Sequence, residues 1–260
     1  MIQIRQIKKM SSELRQRIYP SKVKDSGARL ITQISVEGLI SAIVINLAGY
    51  TTMFASRLGA NEHQIGLIAS LPQFFALVAL IPGALLTGRM KDRRRPVEFA
   101  LVLTGVFFGL TGFAPFLADL RVWFLIGTIS LASAPLALYN ATWQNYFSDI
   151  VPAGQRNSFY TLRTSMTYLA SIVVVQSIGL ILGHAASDSQ RIWLYQCCYW
   201  LAFLFSLLQL LVLRQSPRDL SEHAASTGWK DLRLAIRELV RCSKFMKFFA
   251  ISLIDRKSVV

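Results

Sequence analysis

The sequence predicts an all-α fold, a polytopic membrane bundle of six transmembrane helices. Of the 260 residues, 53% are hydrophobic and only 16% are charged, whereas roughly a quarter of the residues of a soluble domain are charged. The apolar residues fall into six stretches of about twenty residues, the length that an α-helix needs to cross a bilayer. The lipid bilayer is therefore the expected surroundings of most of the chain.

The strong positive charge has a topological explanation. The net charge is +14 and the pI is near 10.1, values that would also fit a nucleic-acid-binding protein. However, the basic residues lie in short segments between the apolar stretches, and they do not form the stripe across a soluble surface that nucleic acid requires. We therefore expect no nucleic-acid partner.

Residues 1–33 form a basic amino-terminal segment without the apolar core of a signal peptide. Ile4, Ile7, Leu14 and Ile18 recur at helical spacing among basic residues, which is typical of a helix lying on the membrane surface. A disordered basic tail explains the same composition, so both interpretations stay open.

Residues 34–213 contain the predicted six-helix transmembrane bundle. The predicted spans are Val36–Ala55, Gln64–Thr87, Val97–Leu117, Val122–Ala141, Thr164–Gly183 and Ile192–Leu213. In the third span, Gly105, Gly109 and Gly112 recur at helical spacing, which predicts a smooth strip for close packing against another helix.

The distribution of Lys and Arg predicts the orientation. Most of them lie in the amino-terminal segment, between spans two and three, between spans four and five, and after span six, whereas Arg57, Arg121 and Arg191 lie on the opposite side. Basic residues concentrate in cytoplasmic loops. The amino terminus is therefore expected to be cytoplasmic, with the protein in the cell (plasma) membrane.

After the sixth span the chain turns polar. Residues 214–243 carry an amphipathic pattern and are expected to form a cytoplasmic linker at the membrane interface. Residues 244–260 begin a seventh apolar segment that is too short to span. We therefore expect a second membrane half, so that the chain is a truncated fragment, although a natural half-length protein stays possible.

Nothing in the sequence predicts an enzyme. It contains no phosphate-binding Gly-rich loop, nucleophile elbow or His-Glu-x-x-His motif, and its cysteines lack metal-ligand spacing. We expect no catalytic residues, no metal and no cofactor.

The loop between spans two and three contains the most informative motif, Gly88-Arg-Met-Lys-Asp92-Arg93-Arg94-Arg95-Pro96. It resembles the signature of the major facilitator superfamily of secondary transporters in its first three fixed positions, Gly88, Asp92 and Arg93. The later glycine and basic pair are compressed into Arg94, Arg95 and Pro96. A carboxylate at a helix end can pair with arginines in one conformation only, so this loop is a candidate conformational switch.

A second stretch after span four resembles the Asp-x-Val-Pro-x-x-x-Arg segment of bacterial members of that superfamily. It contains Asp149, Pro152 and Arg156, and Arg163 follows at the start of span five. The resemblance covers essentially the whole chain. It implies the amino-terminal half of a twelve-helix transporter, with its six helices arranged as a 3+3 repeat.

Polar residues inside the spans are candidates for a solute cavity, because such residues are costly in a membrane. The resemblance places helices one and four against the central cavity, which selects Asn46 and Tyr50 in helix one and Tyr139 and Asn140 in helix four. Hydrogen bonds between helices are the alternative role. Glu37 is nine residues before Asn46 and so on the opposite helix face; it is expected to reach headgroups or a basic loop, or to couple protons.

These observations together predict a secondary active transporter that moves a small-molecule solute by alternating access. A six-helix permease or exporter domain working with an ATPase partner is the first alternative. A non-transporting membrane scaffold is the second, and it would tolerate apolar replacement of the polar span residues.

Overall fold

The structure is a computed structural model that describes residues 21–89, 92, 94–151 and 156–215. The helices are α1 (Ser21–Ala48), α2 (Thr51–Arg57), α3 (Glu62–Arg89), α4 (Arg94–Thr111), a 3-10 helix (Ala114–Leu120), α5 (Arg121–Ile150), α6 (Arg156–Gly183) and α7 (Asp188–Arg214). The surface helix predicted in residues 1–20, nearly all of the linker and the seventh apolar segment lie outside the described residues.

Five described segments are long and apolar enough to cross a membrane. They are Thr32–Arg57, Glu62–Leu80, Ala114–Gln144, Phe159–Gly183 and Asp188–Arg214. Helix α4, predicted as the third span, is not among them because Arg94, Arg95 and Glu98 put three charges into its 18 residues. It nevertheless packs against α5 and α7, so the bundle is the all-α membrane fold that the sequence predicts.

The helices pack in an open arc with an internal repeat. Along the arc, α3 packs on α5, α5 on α4, α4 on α7, α7 on α1, and α1 on α6. Exchanging α1 with α5, α3 with α6 and α4 with α7 maps this set of contacts onto itself. That symmetry is the 3+3 repeat of many transporters, and it leaves α3 and α6 at the two ends of the arc.

The helix ends differ from the predicted spans. Helix α4 ends at Thr111 rather than Leu117, and the following 3-10 helix contains Ala118 with a positive φ of 42°. Helix α5 continues to Ile150, and α6 already begins at Arg156. The apolar stretches mark only the part of each helix that lies in hydrocarbon, whereas backbone hydrogen bonding carries the helices beyond it.

Local sequence explains how several helices begin and break. Asn61 and Gln64 each accept the other's backbone N–H, at 2.8 and 3.0 Å, which is a capping box at the start of α3. The first membrane segment breaks after Ala48, whose carbonyl accepts hydrogen bonds from the Thr51 and Tyr199 hydroxyls at 3.0 and 3.2 Å. The break is therefore compensated by side chains.

Two buried clusters form the core, one towards each end of the bundle. The cluster at the end where α4 begins includes Val97, Trp143, Phe147 and Phe159. Helices α1, α4 and α6 begin at this end, and α3, α5 and α7 end there. The connections that contain the two sequence motifs therefore lie here, and we call it the loop-motif end. It carries the candidate site.

Candidate functional site

A buried carboxylate connects four helices at the loop-motif end. Glu37 of α1 is 3% exposed, and its Oε1 accepts hydrogen bonds from the Tyr139 hydroxyl of α5 and from Gln209 Nε2 of α7, the latter at 2.8 Å. Its Oε2 accepts from Arg163 Nη2 of α6 at 3.2 Å. The amide of Gln209 also donates to the Tyr139 hydroxyl at 2.9 Å. The carboxylate is thus paired and fully hydrogen-bonded, as a buried charge must be.

The side chain of Arg163 packs against an indole ring and a glycine. Its central carbon is 3.7 Å from the centroid of the Trp143 ring, a cation–π distance. The side chain also lies against Gly38, where an added Cβ would be only 2.8 Å from Arg163 Cγ and 2.9 Å from its Nε. The absence of a side chain at residue 38 therefore lets the arginine cross α1 and reach Glu37.

A polar seam continues from this cluster along the contact between α1 and α6. Asn46 Nδ2 donates to Ser171 Oγ at 2.8 Å and to its own helix carbonyl, Ala42 O, at 2.7 Å. One turn further, the Tyr50 hydroxyl donates to the Val175 carbonyl at 3.3 Å. These two bonds hold the end of α1 and the residues that follow it against about one turn of α6.

The four predicted cavity residues divide into three environments. Asn46 and Tyr50 are partly buried in the seam, whereas Tyr139 is buried in the Glu37 cluster. Asn140 is exposed, as is Gln144 one turn further along α5. The structure therefore brings Tyr139 together with Glu37, a pairing that helix periodicity alone did not predict, and it separates Tyr139 from its neighbour Asn140.

The predicted switch loop caps a helix. Asp92 Oδ1 accepts the Arg94 backbone N–H at 3.1 Å, and Asp92 Oδ2 is 3.4 Å from Arg95 Nε. Arg94 pairs with Glu98 at 2.5 Å, and Glu98 lies 3.9 Å from Arg214 at the end of α7. A carboxylate at a helix N-terminus is favourable for the helix dipole. Gly88 lies near the end of α3, and Arg93 lies outside the described residues.

The second motif lies mainly on helices. Asp149 is in the last turn of α5, Pro152 lies outside the described residues, and Arg156 begins α6 with its Nε donating to the Val151 carbonyl at 3.1 Å. Arg163, expected at the start of a span, is two turns inside α6. That depth brings it level with Glu37.

The comparisons with known proteins agree with this architecture. The family model described as Major Facilitator Superfamily matches residues 30–254. The chain belongs to the Major Facilitator Superfamily. A search of curated protein sequences returns no match.

Among solved structures, this superfamily member is similar to the proton:xylose symporter XylE bound to 6-bromo-6-deoxy-D-glucose. The TM-score is 0.56 at 14% sequence identity, and the match covers 74% of this chain and 46% of the symporter. At that identity the likeness concerns the fold. The chain thus matches slightly less than half the length of that transporter.

Two parts of the cluster were not predicted from the sequence of this superfamily member. Gln209 is a buried amide within a span, the kind of signal that marked the other polar span residues, and counting every span amide would have included it. The stacking of Arg163 on Trp143 has no sequence signal, because it depends on how α5 and α6 pack.

Proposed function

We propose that the chain is the amino-terminal half of a secondary active transporter, which moves a small solute across the plasma membrane by alternating access. The observation that carries this proposal is the exposure of Asn140 and Gln144, one turn apart on α5. Amide groups facing lipid would lack hydrogen-bond partners, at a cost of several kcal/mol each. A water-filled cavity on this face of α5 removes that cost.

Thiol accessibility tests the cavity and the alternating access together. Asn140→Cys is introduced into the protein with Cys197, Cys198 and Cys242 replaced by serine, and a small charged methanethiosulfonate is applied to right-side-out or inside-out vesicles. We expect the thiol introduced by Asn140→Cys to react from both sides, each in a different conformation. The control is Leu131→Cys, on the same helix and 43% exposed, which should face lipid and stay unreactive.

The same labelling separates the alternatives. A non-transporting scaffold predicts that the introduced thiol reacts from neither side or from one side only. An exporter domain with an ATPase partner predicts that its reactivity changes sides only when ATP and that partner are present. Either result would contradict the proposed mechanism.

We further propose that a carboxy-terminal six-helix half completes the pathway. Support comes from α3 and α6 at the ends of the arc, because only 6% of the residues in the most apolar part of each of their spans, Glu62–Leu80 and Phe159–Gly183, are buried. The match to less than half of the XylE length agrees with it. The intact mass of the protein from its native membrane tests this partner. A mass about twice the calculated 29.1 kDa supports it, whereas 29.1 kDa contradicts it and favours a dimer or a partner subunit.

The loop that contains Asp92 is the proposed conformational switch. Its support is the chain of contacts from Asp92 through Arg94 and Glu98 to Arg214, which links the start of α4 to the end of α7. Exchange of these partners between two conformations would shift the inward and outward populations. Asp92→Asn, combined with Asn140→Cys, should change the ratio of thiol labelling from the two sides.

A further inference from the structure

The two members of the Glu37–Arg163 pair differ in how many of their hydrogen-bonding groups have partners. The three described donors on Glu37 use both of its oxygens. A guanidinium has five N–H donors, yet within the described ranges Arg163 makes a single side-chain hydrogen bond, to Glu37, and its Nε is buried without an acceptor. The arginine side chain is also 19% exposed, against 3% for Glu37. The cluster therefore lacks acceptors on the arginine side.

The surroundings define how an acceptor can approach. Trp143 covers one face of the guanidinium and the Gly38 backbone lies against the side chain from α1, so a ligand must meet the edge of the plane. A carboxylate fits such an edge with two parallel hydrogen bonds. Asn140 and Gln144, which flank Trp143 in the sequence of α5, are exposed and carry neutral donors and acceptors.

Binding of an anion to Arg163 would also change the charge balance of the cluster. Arg163 is the only charged residue of the span Phe159–Gly183, and Glu37 the only acidic residue of Thr32–Arg57. Among the residues that the structure describes, the titratable or charged groups that face Glu37 are Tyr139 from α5 and Arg163 from α6, while α7 supplies the neutral Gln209. An anion on Arg163 would leave two negative charges for one positive charge in a low-dielectric site, which is costly. Protonation of Glu37 restores neutrality.

We propose that Arg163 binds the carboxylate of a small organic monoanion and that Glu37 takes up one proton in the same step. The proton adds to Glu37 Oε2 as Arg163 Nη2 moves its hydrogen bond to the anion, and no covalent bond of the anion changes. The bound anion and the bound proton carry no net charge together. This inference rests on the proposed transport function, since it assigns the substrate class of that site.

Binding of benzoate to the purified full-length protein tests the inference, with uncharged benzamide as the matched probe. We expect benzoate to bind at least about tenfold more tightly at about pH 5 than at about pH 8, because uptake of a proton by a carboxylate is favoured by acid. Glu37→Gln should bind benzoate equally at both pH values. Benzamide should bind no more tightly in acid.

Arginine variants locate the site. Arg163→Gln should weaken benzoate binding about 10- to 100-fold, the effect of removing a hydrogen bond to a charged group. Arg163→Lys, which keeps the charge but loses the planar fork, should weaken it less and carries the test if the glutamine variant does not fold. Arg121→Gln, at the opposite end of the bundle, should bind normally.

Three results would overturn the inference: undetectable benzoate binding, equal binding of benzamide, or binding that is unchanged by both Arg163 variants. The outcome is separate from that of the proposed function. Arg163-dependent and acid-dependent benzoate binding without two-sided labelling of Asn140→Cys would contradict alternating access alone. Two-sided labelling without such binding would contradict the monoanion alone.

Discussion

At the scale of single residues, the arrangement around Glu37 shows how a charge is kept inside a membrane segment. Desolvation of an ion costs several kcal/mol even after relaxation, and removing one partner of a buried pair costs about 3–5 kcal/mol. Tyr139, Gln209 and Arg163 together provide the compensation, and each comes from a different helix. The network therefore makes the packing of α1, α5, α6 and α7 mutually dependent.

Gly38 is the residue on which the ion pair depends sterically. In Gly38→Ala, the new Cβ would lie 2.8 Å from Arg163 Cγ, so the arginine must move away from Glu37. We expect a loss of about 1–3 kcal/mol in unfolding free energy, measured as a lower Tm in detergent. Gly179→Ala on α6 is the matched control, because no heavy atom lies within 4 Å of the added Cβ. Equal Tm changes in the two variants would contradict the steric argument.

At the scale of helices, the glycine strip of α4 sets its distance from α7. The structure confirms the predicted strip: added Cβ atoms at Gly105 and Gly109 of α4, and at Gly112 directly after its end, would all meet side chains of α7. The partners are Ser206, Phe203 and Trp200 respectively. Small residues allow two helix backbones to approach closely where dispersion, rather than exclusion of water, holds them together. This contact also supports α4, which carries Arg94, Arg95 and Glu98 near its start.

Gly105→Ala tests that contact. Its Cβ would lie 2.6 Å from Ser206 Oγ, so α4 and α7 must separate or Ser206 must leave its 3.1 Å hydrogen bond to the Leu101 carbonyl. We expect about 1–3 kcal/mol of destabilisation, seen in thermal unfolding. Gly127→Ala on α5, which has open space at its Cβ, should be neutral or stabilising. Adding Ser206→Gly to Gly105→Ala should recover part of the loss, and failure to do so would argue against this pair.

At the scale of the whole molecule, the repeat determines which helices are left uncovered. The central positions of the arc bury α1, α4, α5 and α7, whereas its two ends expose α3 and α6. The loop-motif end concentrates the arginines of both sequence motifs and the Glu37 cluster. The positive-inside rule therefore predicts that the site opens near the cytoplasmic surface.

Labelling of loop cysteines tests this orientation. In the cysteine-free protein, Asn157→Cys at the loop-motif end should react with an impermeant maleimide only after the cells are permeabilised. Ala186→Cys, in the exposed connection between α6 and α7, should react in intact cells. The physical reason is the excess of Lys and Arg at the loop-motif end, because basic residues concentrate on the cytoplasmic side of a membrane. The reverse pattern would show that the amino terminus is not cytoplasmic.

The sequence alone determined the all-α membrane fold, because a helix that crosses a bilayer must be long, apolar and satisfied in its own backbone hydrogen bonds. Length and apolar character depend on local composition, which the sequence shows directly. It also placed Asp92 and Arg163 in motifs of the right family. It did not determine that Arg163 would reach Glu37, or that Tyr139 would turn inward while Asn140 stayed exposed. Those facts depend on contacts between helices more than a hundred residues apart in the chain, and only the tertiary packing that brings Gly38 beneath Arg163 decides them.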